Sequence, residues 1–355
     1  MGLIEKIKYS IMKSQIEKRK KQHPFDMEYA EMYEIPKGES NHPNNSYYFS
    51  LHDAEGTSIL FRLAKRGDRE ELWFIYHDKN SNSYYNRDML GNSESHAEVQ
   101  CLEVGKQWRF KFSGPMIPVG ETESPPPVMA AFEGVFTSTA PIFEFSRHAD
   151  AAPTVRALAR EKWSKDFVSA LSENHQTHYE QAGQVKGSLR LDNEEVTINM
   201  RAMRDHSFGK REWKYMDRHI WLTALLETGE ILNVNMVRYP AIFELQHGYL
   251  EKAGKYVCLD SVTPMDDITL SGNIPSPLAC EFKLVDDRMF TLVCKKEIEV
   301  ICPFDNGDYT ILEGIGSFRI NGVKGRGIIE FGYNGDRNRW TRKSHYNLST
   351  APASH

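Results

Sequence analysis

One stretch of the chain concentrates residues suited to acid–base chemistry. Residues 201–213 read Arg-Ala-Met-Arg-Asp-His-Ser-Phe-Gly-Lys-Arg-Glu-Trp. Nearby arginines lower the pKa of a carboxyl group, so we expect Asp205 to be ionised and able to orient a partner. His206 is the better proton donor or acceptor near pH 7. The ionisable core of this cluster comprises Arg201, Arg204, Asp205, His206 and Arg211.

Alternating apolar residues predict that the cluster lies at the end of a β-strand over 196–204. On that strand Arg201 and Asp205 share one face. His206 points to the other face, with the apolar residues, toward a barrel interior. The pattern fits a catalytic site. The alternative is a structural ion-pair network at a barrel mouth, since such networks also shift pKa values.

A second cluster, residues 175–181, contains two histidines and a glutamate. On a helix, His175 and His178 would share a face, with Glu180 nearby. Metal binding is one interpretation, but no HExxH or similar spacing is present, so we predict no metal and no cofactor. The alternative is that Tyr179 and Gln181 close a junction between domains.

Glu330 lies inside an apolar stretch, 325–332, that predicts a strand. A buried carboxylate needs a partner, and an arginine of the 201–211 stretch is a natural candidate. An outward-facing glutamate is the alternative. The glycines of this stretch do not form a dinucleotide loop, because no βαβ unit surrounds them.

Composition indicates an intracellular globular protein of two domains. The chain has 355 residues, 40% hydrophobic and 26% charged, and a net charge of −5, which disfavours nucleic acid as a partner. The five cysteines include no CxxC pair, and we find no secretory signal and no long apolar run. We therefore predict a cytoplasmic location. P-loop, GxSxG, kinase and zinc signatures are also missing, so no catalytic nucleophile is indicated.

Two β-rich regions flank a central helical stretch, which predicts an all-β fold with a few helices. Period-two patterns predict strands in the first region at 46–52, 57–64, 71–77, 97–103, 107–113, 131–137 and 142–147. In the second region they predict strands at 185–191, 196–204, 219–226, 230–238, 248–261, 281–285, 289–294, 297–302, 310–321 and 325–332. The predicted domains are an N-terminal helix (1–22), a β-domain (23–150), a linking helix (151–182), a second β-domain (183–340) and a tail (341–355).

The first 22 residues predict a helix with apolar residues at three- and four-residue steps and many lysines between them. A basic helix with an apolar stripe can lie on an anionic membrane surface. The alternative is a terminal helix that packs on the protein through that stripe.

The order of motifs in the second half resembles the AttH/CrtC-like group of double-lipocalin proteins, and more closely an uncharacterised branch with an RDHSWG-type signature. The residues that carry the resemblance are His178-Tyr-Glu-Gln181, Gly187, Arg204-Asp-His-Ser-Phe-Gly209, Arg211, Trp213 and Gly327-Ile-Ile-Glu330. Phe208 replaces the usual tryptophan. The resemblance implies two calycin-like antiparallel barrels side by side, with a pocket near their junction. The group includes hydratases and Diels–Alderases that act without a cofactor.

The resemblance implies a cofactor-independent hydratase, lyase, isomerase or cyclase acting on a hydrophobic terpenoid, polyketide or phenolic molecule. In this hypothesis His206 or Glu330 donates the proton and Asp205 orients His206. Arg204 binds an anionic group of the ligand. The remaining substrate-binding candidates are Arg201, Arg211, Trp213, Tyr215 and Trp221. The alternatives are a lipid or terpenoid carrier without chemistry, since lipocalin-like barrels hold ligands, and an interaction domain with no enclosed pocket.

Overall fold

The computed structural model describes residues 2–22, 25–39, 41–67, 69–86, 94–120, 126–165, 167, 176–268, 272–304 and 307–341. These residues form two antiparallel β-barrels with short helices at their edges, which confirms the predicted fold class. The helices are α1 (Leu3–Gln22), α2 (Met27–Glu31), α3 (Phe145–His148), α4 (Ala151–Arg160) and α5 (Arg337–Trp340), with 3-10 turns at Trp213–Tyr215 and Met265–Asp267.

The first sheet closes into a ring of eight strands. Its order is β10-β1-β2-β3-β4-β6-β7-β9, and β9 pairs with β10 to join the two ends. Two further strands, β5 and β8, extend along β6 and β9. The strands are β1 (Pro43–His52), β2 (Ser58–Arg66), β3 (Arg69–His77), β4 (Ser83–Asn86), β5 (His96–Glu103), β6 (Gln107–Pro118), β7 (Val128–Ser138), β8 (Phe143–Glu144), β9 (Gln176–Leu191) and β10 (Glu194–Lys210).

The second sheet is a closed barrel of eight strands in simple up-and-down order, because β18 returns to pair with β11. Each neighbouring pair in the barrel is antiparallel, so short turns suffice to connect the strands. The strands are β11 (Arg218–Leu226), β12 (Ile231–Arg238), β13 (Leu245–Lys252), β14 (Lys255–Val262), β15 (Leu278–Leu284), β16 (Met289–Phe304), β17 (Tyr309–Ile320) and β18 (Val323–Asn334).

The sheet pairing differs from the predicted domain border at residue 183. Residues 183–210 belong to β9 and β10, which pair with β7 and β1 and so complete the first barrel. Within the described part of the linking helix predicted over 151–182, α4 ends at Arg160, and the chain is again a strand from Gln176 onward. Alternation identifies a strand but not its partner, so the sequence pattern did not reveal this closure. Residues 166, 168–175 and 342–355 of the predicted linker and tail lie outside the described residues.

Four of the predicted strands differ from the observed elements in number or extent. The predicted strand 248–261 is two strands, because Ala253 and Gly254 form a turn with φ of 50° and 79°. The two strands predicted at 289–294 and 297–302 are one strand, β16, with a bulge between Lys296 and Ile298. The segment 142–147 is the two-residue strand β8 followed by α3.

Apolar side chains fill the interiors of both barrels. In the first barrel Phe49 stacks on Phe110 with ring centroids 4.1 Å apart, and Phe74 stacks on Phe112 at 4.3 Å. In the second, alternate residues of β11 such as Leu222 join a continuous buried cluster. Other residues of β1, β10 and β11, such as Tyr48, Met203 and Trp221, face the partner barrel, where a third buried cluster joins the two barrels. The junction therefore has its own core.

Helix α1 packs on the protein through one face. Met12 and Ile16 join a cluster around α4, and the Lys8 ammonium donates to the Glu161 carbonyl at 2.6 Å. Another face is open to solvent: its apolar residues are Leu3, Ile4, Ile7 and Ile11, from 77% to 44% exposed. Within the described residues, none of the helices is both long and apolar enough to span a bilayer.

Candidate functional site

A small cavity of about 130 Å³ lies between the two barrels. Strands β1, β2, β3, β9 and β10 form one wall, and strands β11, β12, β13, β17 and β18 of the second barrel form the other. Its lining is polar and aromatic: Ser46, Tyr48, Arg62, Trp73, Gln176, His178, Asp205, Ser207, Arg211, Trp213, Met216, His219, Trp221, Asn235, Val237, Tyr239, His247, Ile311 and Glu330.

The first wall contributes an imidazole–carboxylate pair. Asp205 on β10 lies directly opposite Glu180 on β9, and His178 is two residues before Glu180 on the same face. The His178 Nε2 atom contacts the Asp205 carboxylate and lies 3.8 Å from Glu180 Oε1. Burial by itself would lower the pKa of His178, but the charge and hydrogen bond of Asp205, together with the Glu180 charge, raise the pKa above its usual value. This histidine is suited to hold a proton at neutral pH.

Glu180 connects this wall to the second barrel. It is fully buried, and the Asn233 side-chain amide donates to its two oxygens at 2.9 and 3.0 Å. The Tyr249 hydroxyl also donates to it. Burial raises the pKa of Glu180 to about 8, so a proton on this carboxyl is available close to neutral pH.

The second wall contributes another imidazole–carboxylate pair. The His219 Nε2 atom lies 2.5 Å from Glu330 Oε1, and its Nδ1 atom lies 2.7 Å from the Tyr309 hydroxyl. His219 faces Gly332 across the ladder, and a Cβ at Gly332 would overlap the imidazole ring. The glycine therefore provides the space that this histidine occupies.

A fourth carboxyl, Glu313, lies beside Glu330. The two residues are direct neighbours on β17 and β18, and a side-chain hydrogen bond joins them. Burial, and then the Glu330 charge, raise the pKa of Glu313 well above its usual value. Burial would also raise the pKa of Glu330, but the hydrogen bond from His219 and its charge lower it. Glu313 therefore holds the shared proton and donates it, while Glu330 is the ionised partner.

Two guanidinium groups lie at the cavity. Arg211 lies 3.8 Å over the Trp213 ring, and Arg62 lies 4.4 Å over the Trp73 ring. Arg62 forms an ion pair with Glu71 at 3.0 Å. Among the described residues Arg211 has no carboxylate within 4.0 Å, and its recorded side-chain hydrogen bond, to Ser207, is 3.4 Å long.

Two indole N–H groups at the cavity also lack acceptors. Trp213 is 3% exposed and Trp221 is 8% exposed, and neither Nε1 atom has a hydrogen-bond partner in the described part of the chain. Buried donors are normally satisfied. Together with Arg211, these groups offer positive charge and N–H donors to a ligand with an anionic or carbonyl oxygen.

Arg204 and His206 lie on the opposite face of β10, inside the first barrel. The Arg204 guanidinium donates to Glu31 of α2 at 2.7 Å and to Gln181 at 2.7 and 2.9 Å. His206 Nε2 lies 2.8 Å from Asn45 Oδ1, and Nδ1 lies 2.5 Å from the hydroxyl of Tyr179. Burial and the Arg204 charge hold the pKa of His206 well below its usual value.

This placement corrects the predicted relation between Asp205 and His206. Adjacent residues of a strand point to opposite faces, so Asp205 contacts His178 and does not orient His206. Arg204 likewise points away from the cavity. Tyr179 and Gln181, which the sequence suggested for the junction, contact Glu31 and Arg204 instead.

The remaining predicted site residues, together with Asp205, lie in three places. Arg211, Trp213, Trp221, Asp205 and Glu330 all line the cavity. Tyr215 stacks on Tyr239, a residue of the cavity wall, with ring centroids 5.8 Å apart. Arg201 lies at a different groove, where its guanidinium donates to main-chain carbonyls of the β11–β12 turn.

Several residues of the cavity are not predicted from the sequence. The sequence pattern places His178 on a helix, whereas it lies on β9; His175 lies outside the described residues. The pattern marks His219 only as the start of a strand and does not single out Arg62 or Trp73. Their signal is a polar or aromatic residue at alternate positions of an otherwise buried strand, which marks the face turned to the partner barrel.

His178, Glu180 and Asp205 also have the composition of a cation site. Their donor atoms all lie within 4.8 Å of one another. One imidazole and two carboxylates suit a divalent cation. These three side chains also have partners within the protein: His178 contacts Asp205, and Glu180 receives hydrogen bonds from Asn233 and Tyr249.

Comparison with known proteins identifies the family. The sequence matches the family described as "Domain of unknown function (DUF7064)" over residues 33–335. The chain belongs to this family. No curated protein sequence matches the chain.

Solved structures confirm the AttH/CrtC-like fold. The DUF7064 chain is similar to a putative AttH from Nitrosomonas europaea, with 14% identity, a TM-score of 0.51, and coverage of 85% of this chain and 97% of the other. Kievitone hydratase from Nectria haematococca gives 12% identity and a TM-score of 0.52, covering 87% and 96%. CghA, solved with Sch210972, gives 9% identity and a TM-score of 0.51, covering 83% and 90%. At these identities the likeness establishes the fold alone.

The first prediction concerns the charge pair inside the first barrel. Glu31→Gln leaves the buried Arg204 guanidinium without a counter-charge, so we expect the free energy of unfolding to fall by about 3 kcal/mol or more. The control is Glu28→Gln, an exposed position of the same helix, expected to change it by less than about 0.5 kcal/mol. Urea unfolding measures both. Equal stability of the two variants would contradict a stabilising role for the pair.

The second prediction concerns the dependence of stability on pH. The pKa of Glu180 rises from 4.5 to about 8 on folding, so folding takes up a proton between these values. The stabilisation that the protonated Glu180 contributes is complete below about pH 4.5. It then falls by up to about 1.4 kcal/mol per pH unit as the pH rises toward 8. The raised pKa of His178 acts in the same direction.

We expect Glu180→Gln to flatten this decline, because the amide does not titrate. Urea unfolding at intervals from pH 5 to pH 9 measures the slope. Glu281→Gln, at an exposed position, should keep the wild-type slope. An unchanged slope in Glu180→Gln would show that the buried carboxyl does not titrate in this range.

Proposed function

We propose that the junction cavity catalyses an acid–base reaction on a small, largely hydrophobic molecule, as a hydratase, lyase, isomerase or cyclase. The observation that carries this proposal is the pair of imidazole–carboxylate groups on opposite walls of one cavity: His178 with Asp205, and His219 with Glu330. Each barrel supplies one pair, so proton donor and acceptor flank the space between them.

The pKa shifts of His178 and Glu330 assign the roles of the two pairs. Asp205 raises the pKa of His178, so His178 is the proton donor. Glu330 has a lowered pKa and is ionised, so it is the proton acceptor. In a hydration, His178 protonates one alkene carbon, water attacks the resulting cation at the other, and Glu330 takes the proton that water loses. A weak base is sufficient for the last step, because the oxonium formed on attack is a strong acid.

The polar groups around these pairs indicate a ligand with an acidic or carbonyl oxygen. Arg211 supplies a cation without a carboxylate partner among the described residues, and the indoles of Trp213 and Trp221 supply unused N–H donors. A carboxylate or phenolate satisfies all three. The aromatic rings also stabilise cationic character in the transition state and exclude water.

The size of the cavity restricts how the substrate binds. Pockets for drug-sized ligands usually measure about 300–1,000 Å³, whereas this cavity measures about 130 Å³. It therefore accommodates the reacting end of a substrate rather than a whole terpenoid or polyketide. One structural relative is named a hydratase, which supports this class of reaction, and another was solved with Sch210972.

The third prediction tests the chemistry with isotopes. The full-length protein is incubated with a metabolite extract of the producing cells and with a panel of phenolic and terpenoid alkenes, in water labelled with deuterium or oxygen-18. A hydratase adds one labelled water, whereas an isomerase or cyclase gives a product of unchanged formula that carries deuterium at one carbon. Mass spectrometry separates the two outcomes. Glu330→Gln and Asp205→Asn should each lower the rate by about 100- to 10,000-fold.

Glu281→Gln is the matched control, since this exposed carboxylate is not part of the cavity lining. Unfolding midpoints of all variants establish that the loss is not a loss of fold. Full turnover in both cavity variants would eliminate the proposed mechanism. A ligand that co-purifies unchanged and acquires no label would support the carrier hypothesis instead.

We also propose that α1 brings the protein to an anionic membrane surface. Its packed face carries Met12 and Ile16. The stripe of Leu3, Ile4, Ile7 and Ile11 lies roughly a third of a turn around the helix and is exposed. The helix also carries an excess of basic residues, including Arg19, Lys20 and Lys21 in its last turn. An exposed apolar stripe beside positive charge complements anionic lipid.

The fourth prediction tests this contact. The protein should sediment with vesicles of mixed phosphatidylserine and phosphatidylcholine, and much less with phosphatidylcholine alone. Ile4→Glu with Ile7→Glu should abolish sedimentation, because it places charge in the stripe. Lys255→Gln, an exposed change on the second barrel, should not affect it. Equal sedimentation of the double variant and the wild type would exclude α1 as the contact.

A further inference from the structure

A second and larger recess lies at the edge of the two barrels. This groove measures about 730 Å³ and shares no lining residue with the junction cavity. The β1–β2 turn of the first barrel forms one side, and the outer faces of β16, β17 and β18 form the other. Its volume falls within the range of small-molecule sites.

Basic side chains dominate the polar lining of the groove. Arg201 and Arg326 are already engaged: Arg201 donates to main-chain carbonyls, and Arg326 pairs with Glu297 at 2.8 Å. Three others, Lys295, Arg319 and Lys324, have no side-chain hydrogen bond or ion pair within the described residues. The groove therefore holds positive charge that the chain itself does not neutralise.

The placement of two of these cations is unfavourable without a ligand. Arg319 and Lys324 are direct cross-strand neighbours on β17 and β18, where like charges repel. The acidic residues of the lining relieve little of this charge. Asp53 accepts the main-chain N–H groups of its own turn, and Glu55 pairs with Lys79 at 2.9 Å. That leaves Glu227 as the one other carboxylate of the lining, against the three unpaired cations.

A buried histidine supplies an unused donor. His52 lines the groove and is 3% exposed; its Nδ1 lies 2.8 Å from Ser58 Oγ, and its Nε2 has no partner among the described residues. Burial, with the charges of Arg326 and Arg201, lowers the pKa of His52 to about 3, so the ring is neutral. When Nδ1 accepts the Ser58 hydroxyl proton, Nε2 carries the hydrogen and is a free donor.

The rest of the lining is apolar. Pro277 and Val293 contribute exposed apolar surface beside the charged side chains, and Leu225, Leu226 and Phe318 belong to the lining at 5% exposure or less. A groove with unpaired cations, an unused N–H donor and apolar walls suits a molecule that has both an anionic group and a hydrocarbon body. An inorganic anion would leave the apolar part uncovered, and a neutral lipid would leave the cations unpaired.

We propose that this groove is a binding site for an amphiphilic anion, in which Lys295, Arg319 and Lys324 hold a phosphate or carboxylate group and the apolar residues contact its hydrocarbon chain. The proposal does not depend on the chemistry of the junction cavity. Phosphate and carboxylate share the recognition by cations and N–H donors, so the experiment separates them.

The fifth prediction tests the groove by isothermal titration calorimetry on the full-length chain. The probes are octyl phosphate, octanoate, inorganic phosphate and octanol. We expect octyl phosphate or octanoate to bind at least tenfold more tightly than octanol and than inorganic phosphate. The stronger of the two anions identifies the headgroup. The proposal would be overturned if neither octyl anion bound more tightly than octanol, or if neither bound more tightly than inorganic phosphate.

The decisive variant is Arg319→Gln with Lys324→Gln, which removes two exposed cations and leaves the apolar walls intact. It should weaken binding of the preferred anion at least tenfold, whereas Lys255→Gln should change it by less than twofold. Without ligand the double variant should be at least as stable as the wild type in thermal unfolding, because the repulsion between the two cations is gone. Unchanged affinity in the double variant would place the anion elsewhere and refute the assignment.

Discussion

Alternation of side chains along the strands at the junction is the constraint on which the whole arrangement depends. Each of these strands has one face toward its own barrel and one toward the partner barrel. On β10 this separates Arg204 and His206, inside the first barrel, from Asp205, which faces the cavity. On β11, Trp221 faces the cavity while Leu222 fills the second barrel. Residues adjacent in sequence therefore serve different clusters.

The filled barrel interiors explain why the candidate site lies between the barrels. Stacked rings such as Phe49 on Phe110 occupy the interior of the first barrel, and a continuous apolar cluster occupies the second. Where two curved barrel surfaces meet, their side chains do not fill the space between them completely. The polar groups that line this gap are held by strands from both sides, so docking of the barrels and assembly of the site are one event.

Burial of carboxyl groups at the junction couples stability to protonation. A buried carboxylate is costly unless it is hydrogen-bonded or protonated. The structure uses both solutions: Glu180 receives donors from Asn233 and Tyr249 across the junction, and Glu313 shares a proton with Glu330. The same low-polarity surroundings that make these groups expensive also shift their pKa values, which is the property that acid–base chemistry requires.

The sequence by itself determined the β-rich class, most strand positions and the face on which each residue of β10 lies, because alternation is a local property of the chain. It also brought Asp205, Arg211, Trp213, Trp221 and Glu330 into one candidate site. Only the tertiary structure decided that His178 and His219 are the imidazoles of the cavity, that His206 belongs to the interior of the first barrel, and that residues 183–210 complete that barrel. Partners of a strand are chosen by contacts between residues far apart in sequence, and no local pattern carries that information.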